Sequence, residues 1–466
     1  MKRLLYRLCL SALTLGAVSC NQYLDIKPKG SLIPETAADY ETMLNYVQIT
    51  KGGDPYPLYM TDDVYLPDQS LGFGGSFATS SPSVQNLYTF QQEVFGESED
   101  DALWNNAYQR MYYFNVLIDK VMGAAGSDET TKRALRAEAL LGRAYEYLML
   151  VNVYAKHYDP ATAASDLGVP LILDDAIERS GLSRATVAEV YARVEDDLME
   201  ALKDLPEKPR ANAFRGSLAA GYALLSRMYL YRGDYDKALA NAKLALDKNN
   251  TLIDLAQYRV TNPMGAIGRI NVPERDKNPE NIYLRVAGYA YGMSAQVFVS
   301  DDLLALYDKD KDMRYQLYMV NSFGPLAFPK PLWMPFITSN IGMATPELYL
   351  IAAECEARKG NTAAALGYLN ALRSKRIQDA VPLAATSPEG ALDLVLAERR
   401  RELAMTGNFR LIDLKRLSRE SRYAKSVVHS VAGEDYTLRA GSARYVLPIP
   451  TRVMNFNQGT MVQNAR

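Results

Sequence analysis

Tyr231-Arg232-Gly233-Asp234-Tyr235-Asp236-Lys237-Ala238-Leu239 joins two helical runs through a glycine turn. Apolar residues recur at helical spacing before it, from Leu218, and after it, to Asp247. A glycine suits the left-handed conformation that ends a helix. An aspartate caps the next helix by accepting from its free N–H groups. The small Ala238 lets the second helix approach the first closely. The spacing predicts an antiparallel helix pair over 218–231 and 235–247. The arrangement returns at Arg358-Lys359-Gly360-Asn361-Thr362-Ala363-Ala364-Ala365-Leu366, with Asn361 as the cap and Ala365 as the small residue.

These two scattered copies resemble tetratricopeptide hairpins. They predict a mainly α, tetratricopeptide-like scaffold with long irregular insertions. Other segments agree with it. Trp104, Tyr108 and Met111 share one helical face, Thr130–Lys156 is a long amphipathic run, and Val187–Leu205 stops before Pro206. Two zones interrupt the helices, at about 55–96 and 258–346. The first holds Pro55, Pro57, Pro67, Pro82 and the run Gly72-Phe73-Gly74-Gly75. The second mixes strand-like fragments such as Asn281–Val286 with Gly and Pro. Both are rich in aromatics, and long loops in compact domains are usually functional.

The N-terminus reads differently. Lys2, Arg3 and Arg7 precede an apolar run, Leu8–Val18, that is shorter than the roughly 20 residues a spanning helix needs. Ala17, Val18 and Ser19 lead into Cys20. This is a secretory signal over 1–19, and its end resembles a bacterial lipobox, in which Cys20 is lipidated and becomes the mature N-terminus. With Cys20 acylated, only Cys355 remains, placed in a helical run as a small core thiol. Residues 20–466 read as one domain. The formal net charge of −2 gives no basic excess for nucleic acid.

A catalytic reading finds little to carry it. The two histidines, His157 and His429, are far apart and lie in no metal-ligand or nucleophile pattern. No Walker A, GxSxG or helix-opening GxGxxG occurs. Asp62-Asp63 and Asp174-Asp175 are adjacent carboxylates, the raw material of a glycosidase, and Asp54, Asp62, Asp63 and Asp68 carry oxygen ligands without EF-hand spacing. The expectation is no enzyme, no metal and no cofactor. Glu398-Arg399-Arg400-Arg401-Glu402 reads as a solvated helix face of i,i+4 ion pairs. The positive signal is aromatic: 32 tyrosines, of which the loop members can present rings to sugars or peptides. Candidate ligand-binding residues are Tyr56, Tyr59, Tyr65, Phe73, Tyr289, Tyr291, Phe323 and Trp333, with Phe298, Phe328 and Phe336 in the same second zone.

Several segments together resemble the SusD/RagB-like nutrient-binding lipoproteins over nearly the whole chain. They are Tyr23-Leu24-Asp25-Ile26-Lys27-Pro28 after Cys20; Trp104, Tyr108 and Asn115; Arg136-Ala137-Glu138-Ala139 through Arg143-Ala144-Tyr145; and Glu347–Glu354 continuing to Leu369–Arg373. Glu398-Arg399, Glu402-Leu403-Ala404, Gly407, Arg410 and Asp413-Leu414-Lys415-Arg416 follow, then Leu447-Pro448-Ile449-Pro450 and Gln463-Asn464. Thr406 and Leu417 stand where the family commonly has glutamate and tryptophan. The resemblance implies a lipoprotein on the outer face of the outer membrane. It implies a partner too, a SusC-like TonB-dependent β-barrel, over which the protein acts as a hinged lid delivering an oligosaccharide or a peptide. The ligand-contacting residues are not carried over by any motif. The competing classes are a surface glycosidase and a purely structural scaffold.

Overall fold

The computed structural model describes residues 34–71, 75–97, 99–176, 181–264, 270, 271, 273, 275–287, 297–334 and 340–466. Cys20, the signal segment, Phe73, Tyr289 and Tyr291 lie outside them.

The scaffold is built from α1 (Ala102–Lys120), α2 (Glu129–Tyr154), α3 (Val187–Ala201), α4 (Leu218–Arg232), α5 (Tyr235–Lys248), α6 (Thr345–Arg358), α7 (Thr362–Arg373), α8 (Pro388–Glu402) and α9 (Phe409–Leu417). Consecutive helices pack as pairs: α1 with α2, α2 with α3, α4 with α5, α6 with α7. The α5–α6 contact joins the two hairpins across the intervening zone. Gly233 and Gly360 stand at φ 83° and 84°, and a Cβ on either would meet nothing within 4 Å. They are therefore required for conformation and not for space. Asp234 accepts from the Lys237 N–H at 3.3 Å. Asn361 departs from its expected role: its amide turns back and donates to Glu356 at 2.7 Å, and α7 starts without a side-chain cap. Ala238 and Ala365 are fully buried. Ser226 donates to the Ala238 carbonyl at 2.9 Å, which only close helix backbones permit.

The helix expected to be amphipathic, α2, is buried without interruption from Ala137 to Tyr154. It is the central helix of the fold, and its charges are met inside. Arg215 grips Glu138 through two bonds of 2.6 and 2.7 Å, Arg143 grips Asp197, and Arg110 grips Glu146. Such bidentate pairs offset the several kcal/mol that burying each ion costs.

The expected solvated face over 398–402 is corrected in the same way. Glu398 and Arg399 are buried. Arg314 bonds Glu398 and Glu402 at 2.7 Å, Arg376 joins Glu402 to Glu280, and Arg399 bonds Asp413 at 2.9 Å. Other packed elements surround this part of α8, so its charges find partners on them. Burial opposes ionisation of Glu398, but Arg314, Arg401 and Arg373 outweigh it and hold its pKa at about 2.

The strands are β1 (Val64–Tyr65), β2 (Asn281–Tyr283), β3 (Phe298–Val299), β4 (Met319–Phe323), β5 (Leu326–Trp333), β6 (Met343–Ala344), β7 (Val427–Val431) and β8 (Glu434–Leu438). β1, β3, β5 and β4 form one antiparallel sheet in that order. Its strands come from both expected insertion zones, so the zones are joined by main-chain pairing. The first zone is also less open than its composition suggests: residues 52–64 are all buried, and Tyr56–Met60 form a 3-10 turn inside the core.

Candidate ligand-binding site

The register of the four-stranded sheet sorts its side chains. Tyr65 faces Phe298, Phe298 faces Leu332, and Leu332 faces Val320. Strand alternation places this row on one side and Val64, Val299, Trp333 and Met319 on the other. The second row belongs to the main core. The first row forms a separate cluster, Phe298, Val320, Leu332 and Met334, with half-buried Tyr65, Phe323 and Phe328 around it.

This outer face is aromatic and ordered by edge contacts. Phe323 and Phe328 meet at 5.4 Å with planes 88° apart, and Tyr65 meets Phe298 at 6.4 Å. The quadrupole of an aromatic ring favours such T-shaped pairs. Lys330 lies 4.6 Å over the Tyr65 ring and pairs with Asp301 at 2.5 Å. Gly324, at φ 56°, turns the β4–β5 hairpin, and Leu326 beside it is exposed. The result is a paired sheet presenting half-buried rings beside a cation. Such a surface can stack on the C–H face of a sugar ring or pack on apolar side chains.

The structure brings together Tyr65 and Phe323 among the expected site residues. It removes Tyr56 and Tyr59 from any ligand surface. Tyr56 is wholly buried, donating to Asp101 at 2.6 Å, and Tyr59 is 4% exposed. Their segment supplies core aromatics because prolines shape it into a tight turn without forcing it outward. Trp333 is corrected too: it faces the core side of the sheet at 8% exposure, against Tyr318, and lines a cavity of about 90 Å³. Sequence reasoning missed Lys330. The alternation Phe328-x-Lys330-x-Leu332 was the available signal, because it places all three on one strand face.

The Asp62-Asp63 pair is engaged by cations. Arg410 bonds Asp62 at 2.7 and 2.8 Å, while Arg400 bonds Asp63 at 2.8 Å and Lys425 pairs with Asp62. Burial opposes ionisation of Asp62, but these cations hold its carboxyl far below the usual range. Asp63 is shifted the other way, raised chiefly by its burial against the pull of Arg400 and Arg410, and both carboxylates are buried among these cations. His429 is buried between Tyr88 and Phe90, with its ring nitrogens 2.7 and 2.9 Å from the Tyr88 and Thr61 carbonyls. Burial pushes its pKa down and the two carbonyls pull it up. Its place is structural. Among the described residues no group of three or more His, Cys, Asp or Glu is placed to hold a metal, and no helix is long and apolar enough to cross a membrane.

A family model described as "Starch-binding associating with outer membrane" matches residues 22–230, and one described as "SusD family" matches residues 343–466. Three of the four strands carrying the aromatic face lie between these segments. A curated relative, SusD-like protein P2 of Formosa agariphila, is 26% identical over 258 residues. That match covers 54% of this chain and 47% of the relative, about half its length. A SusD superfamily protein of Bacteroides thetaiotaomicron is similar with a TM-score of 0.72 at 24% identity, over 92% of this chain and 100% of that one. A SusD-like carbohydrate binding protein of Bacteroides vulgatus gives 0.66 at 21% identity, over 91% and 97%. A laminarin binding SusD-like protein gives 0.63 at 20%, over 92% and 99%. These likenesses establish a common fold.

Proposed function

The chain belongs to the SusD/RagB-like family, and from that premise we propose that it is a surface lipoprotein that captures an oligosaccharide. In this reading it is anchored by acylated Cys20 and passes the ligand to a SusC-like TonB-dependent transporter. It performs no bond chemistry. The observation that carries the reading is the outer aromatic face, Tyr65, Phe323 and Phe328 with Lys330, held on a sheet whose other side is locked into the core. Preformed rings lose little entropy on binding, which suits capture of a flexible chain. A similar fold in a protein named for binding laminarin supports the same class of ligand.

Affinity electrophoresis of the purified chain in gels containing defined polysaccharides tests the ligand. Retardation by at least one glycan is expected. Retention of a peptide library with no glycan retarded would replace the oligosaccharide by a peptide. Co-purification from detergent-solubilised outer membranes tests the partner. A TonB-dependent barrel is expected to elute with the protein, and elution alone would remove the delivery step.

A further inference from the structure

A second concavity, of about 440 Å³, is lined along β4 by Met319, Asn321 and Ser322. That volume is within the range of about 300–1,000 Å³ usual for small-ligand sites. Its floor is apolar, formed by Met313, Leu317 and Met319. Its rim carries Tyr258, Arg259, Tyr315, Gln316, Asn321 and Ser322. Tyr258 and Tyr315 are half-buried, while Arg259, Gln316 and Asn321 are exposed. An apolar floor under a rim of amide, hydroxyl and guanidinium donors matches a pyranose, whose faces are C–H and whose edge is hydroxyl.

The charge of the groove is one-sided. Among the described residues, Arg259 is its one ionised lining residue and no aspartate or glutamate lines it. Lys309 adds a second cation 6.0 Å over the Tyr315 ring. Asp308 and Asp310 flank Lys309 in sequence, but neither lines the groove. We propose that this groove is a second binding segment for the same ligand, and that the sugar it takes carries an anionic group, a carboxylate or a sulfate ester. The proposal rests on the oligosaccharide reading above and adds the substrate class to it. Guanidinium recognises both oxyanions through paired N–H donors. A peptide adding to β4 as a strand is disfavoured. That strand has five residues and its pairing shifts register between Val320 and Ser322, which twists the edge away from a flat template.

The test is equilibrium binding of the full chain in detergent to three probes: a neutral β-glucan, a polyuronate and a sulfated galactan. An acidic polysaccharide is expected to bind at least tenfold more tightly than the neutral one, and raising NaCl from 50 to 500 mM should weaken it about tenfold. Whichever acidic probe binds identifies the oxyanion. Arg259→Ala should lower that affinity five- to twentyfold and leave the melting curve unchanged, and Arg259→Lys should restore part of it. Neutral glucan bound as tightly as the acidic probes, with Arg259→Ala silent, overturns the anionic groove while the oligosaccharide reading stands. Failure of every glycan to bind removes both. Capture of a peptide that Arg259→Ala releases overturns the glycan assignment of the groove.

Discussion

Tyr65 and Phe298 face each other across an antiparallel pair, with ring centroids 6.4 Å apart. They belong to the two irregular zones that interrupt the helices, far apart in the chain. Their pairing makes one surface of both zones and fixes the aromatic face relative to the core. Because Val64 and Val299, the next pair in register, are fully packed into that core, the face cannot slip by one residue without turning valines outward and rings inward.

The helix hairpins depend on two kinds of glycine, and substitution should separate them. Gly233→Ala forces a Cβ into left-handed backbone with open space around it, so it should cost about 1–2 kcal/mol of strain alone. A Cβ at Gly142, in α2, would run into the Phe114 ring, so Gly142→Ala should cost about 1–3 kcal/mol through overpacking. Urea unfolding measures both. Phe114→Leu should rescue Gly142→Ala and leave Gly233→Ala unchanged.

The buried ion pairs should be intolerant of losing one member. Arg227 is wholly buried, bonds Glu347 at 3.0 and 2.5 Å, and lies 4.8 Å over the Phe409 ring. Glu347→Ala leaves that guanidinium without its counter-ion and should cost about 3–5 kcal/mol, readable as a lower urea midpoint. A loss below 1 kcal/mol would mean that water reaches the pair.

Hairpins of this kind are legible in sequence because Gly, Asp and Ala act locally, through backbone conformation, capping and size. The buried ionic core was not. Glu398, Arg399 and Glu402 lie on α8 at the same spacing as a solvated face, and only the distant Arg314, Arg376 and Asp413 make them interior. The proposed ligand face was only partly legible for a related reason. Tyr65 and Phe323 read correctly as loop-zone aromatics, but Tyr56, Tyr59 and Trp333 have the same local composition and are buried by partners elsewhere in the chain.

Stability should respond to pH in two opposite ways. Glu354 and Glu398 are held at about 2. For both, burial opposes ionisation and is outweighed, chiefly by Arg416 and Arg358 around Glu354 and by Arg314 and Arg401 around Glu398. Their folded values are below the unfolded ones, so their contribution is complete above about pH 4.5 and is lost as pH falls towards 2. Asp101 runs the other way. Burial raises it to about 6, although Tyr154, Tyr56 and two backbone N–H groups donate to it. Its contribution is complete below about pH 4 and is lost as pH rises through 6. Asp101→Asn should therefore flatten the thermal-melting profile between pH 4 and 6, and leave the acid limb below pH 4 in place. Unchanged slopes in the 4–6 window would mean that Asp101 is ionised throughout.

Membrane attachment should depend on one residue. Cys20→Ser removes the thiol proposed to be acylated, and since burial of each acyl methylene is worth about 0.8 kcal/mol, the variant should move from the membrane pellet to the soluble fraction. Retention of the variant in the pellet would require another anchor.

The proposed glycan site is the outer face of the small sheet. Isothermal titration of the native chain and of the Tyr65→Ala/Phe328→Ala double variant, with whichever polysaccharide retards the native protein, tests it most directly. Ring contacts are worth about 0.5–1.5 kcal/mol each, so the double variant should bind on the order of tenfold more weakly, or worse. Its far-UV circular dichroism should stay native. Equal affinity in a folded double variant would contradict the claim and place the glycan elsewhere on the molecule.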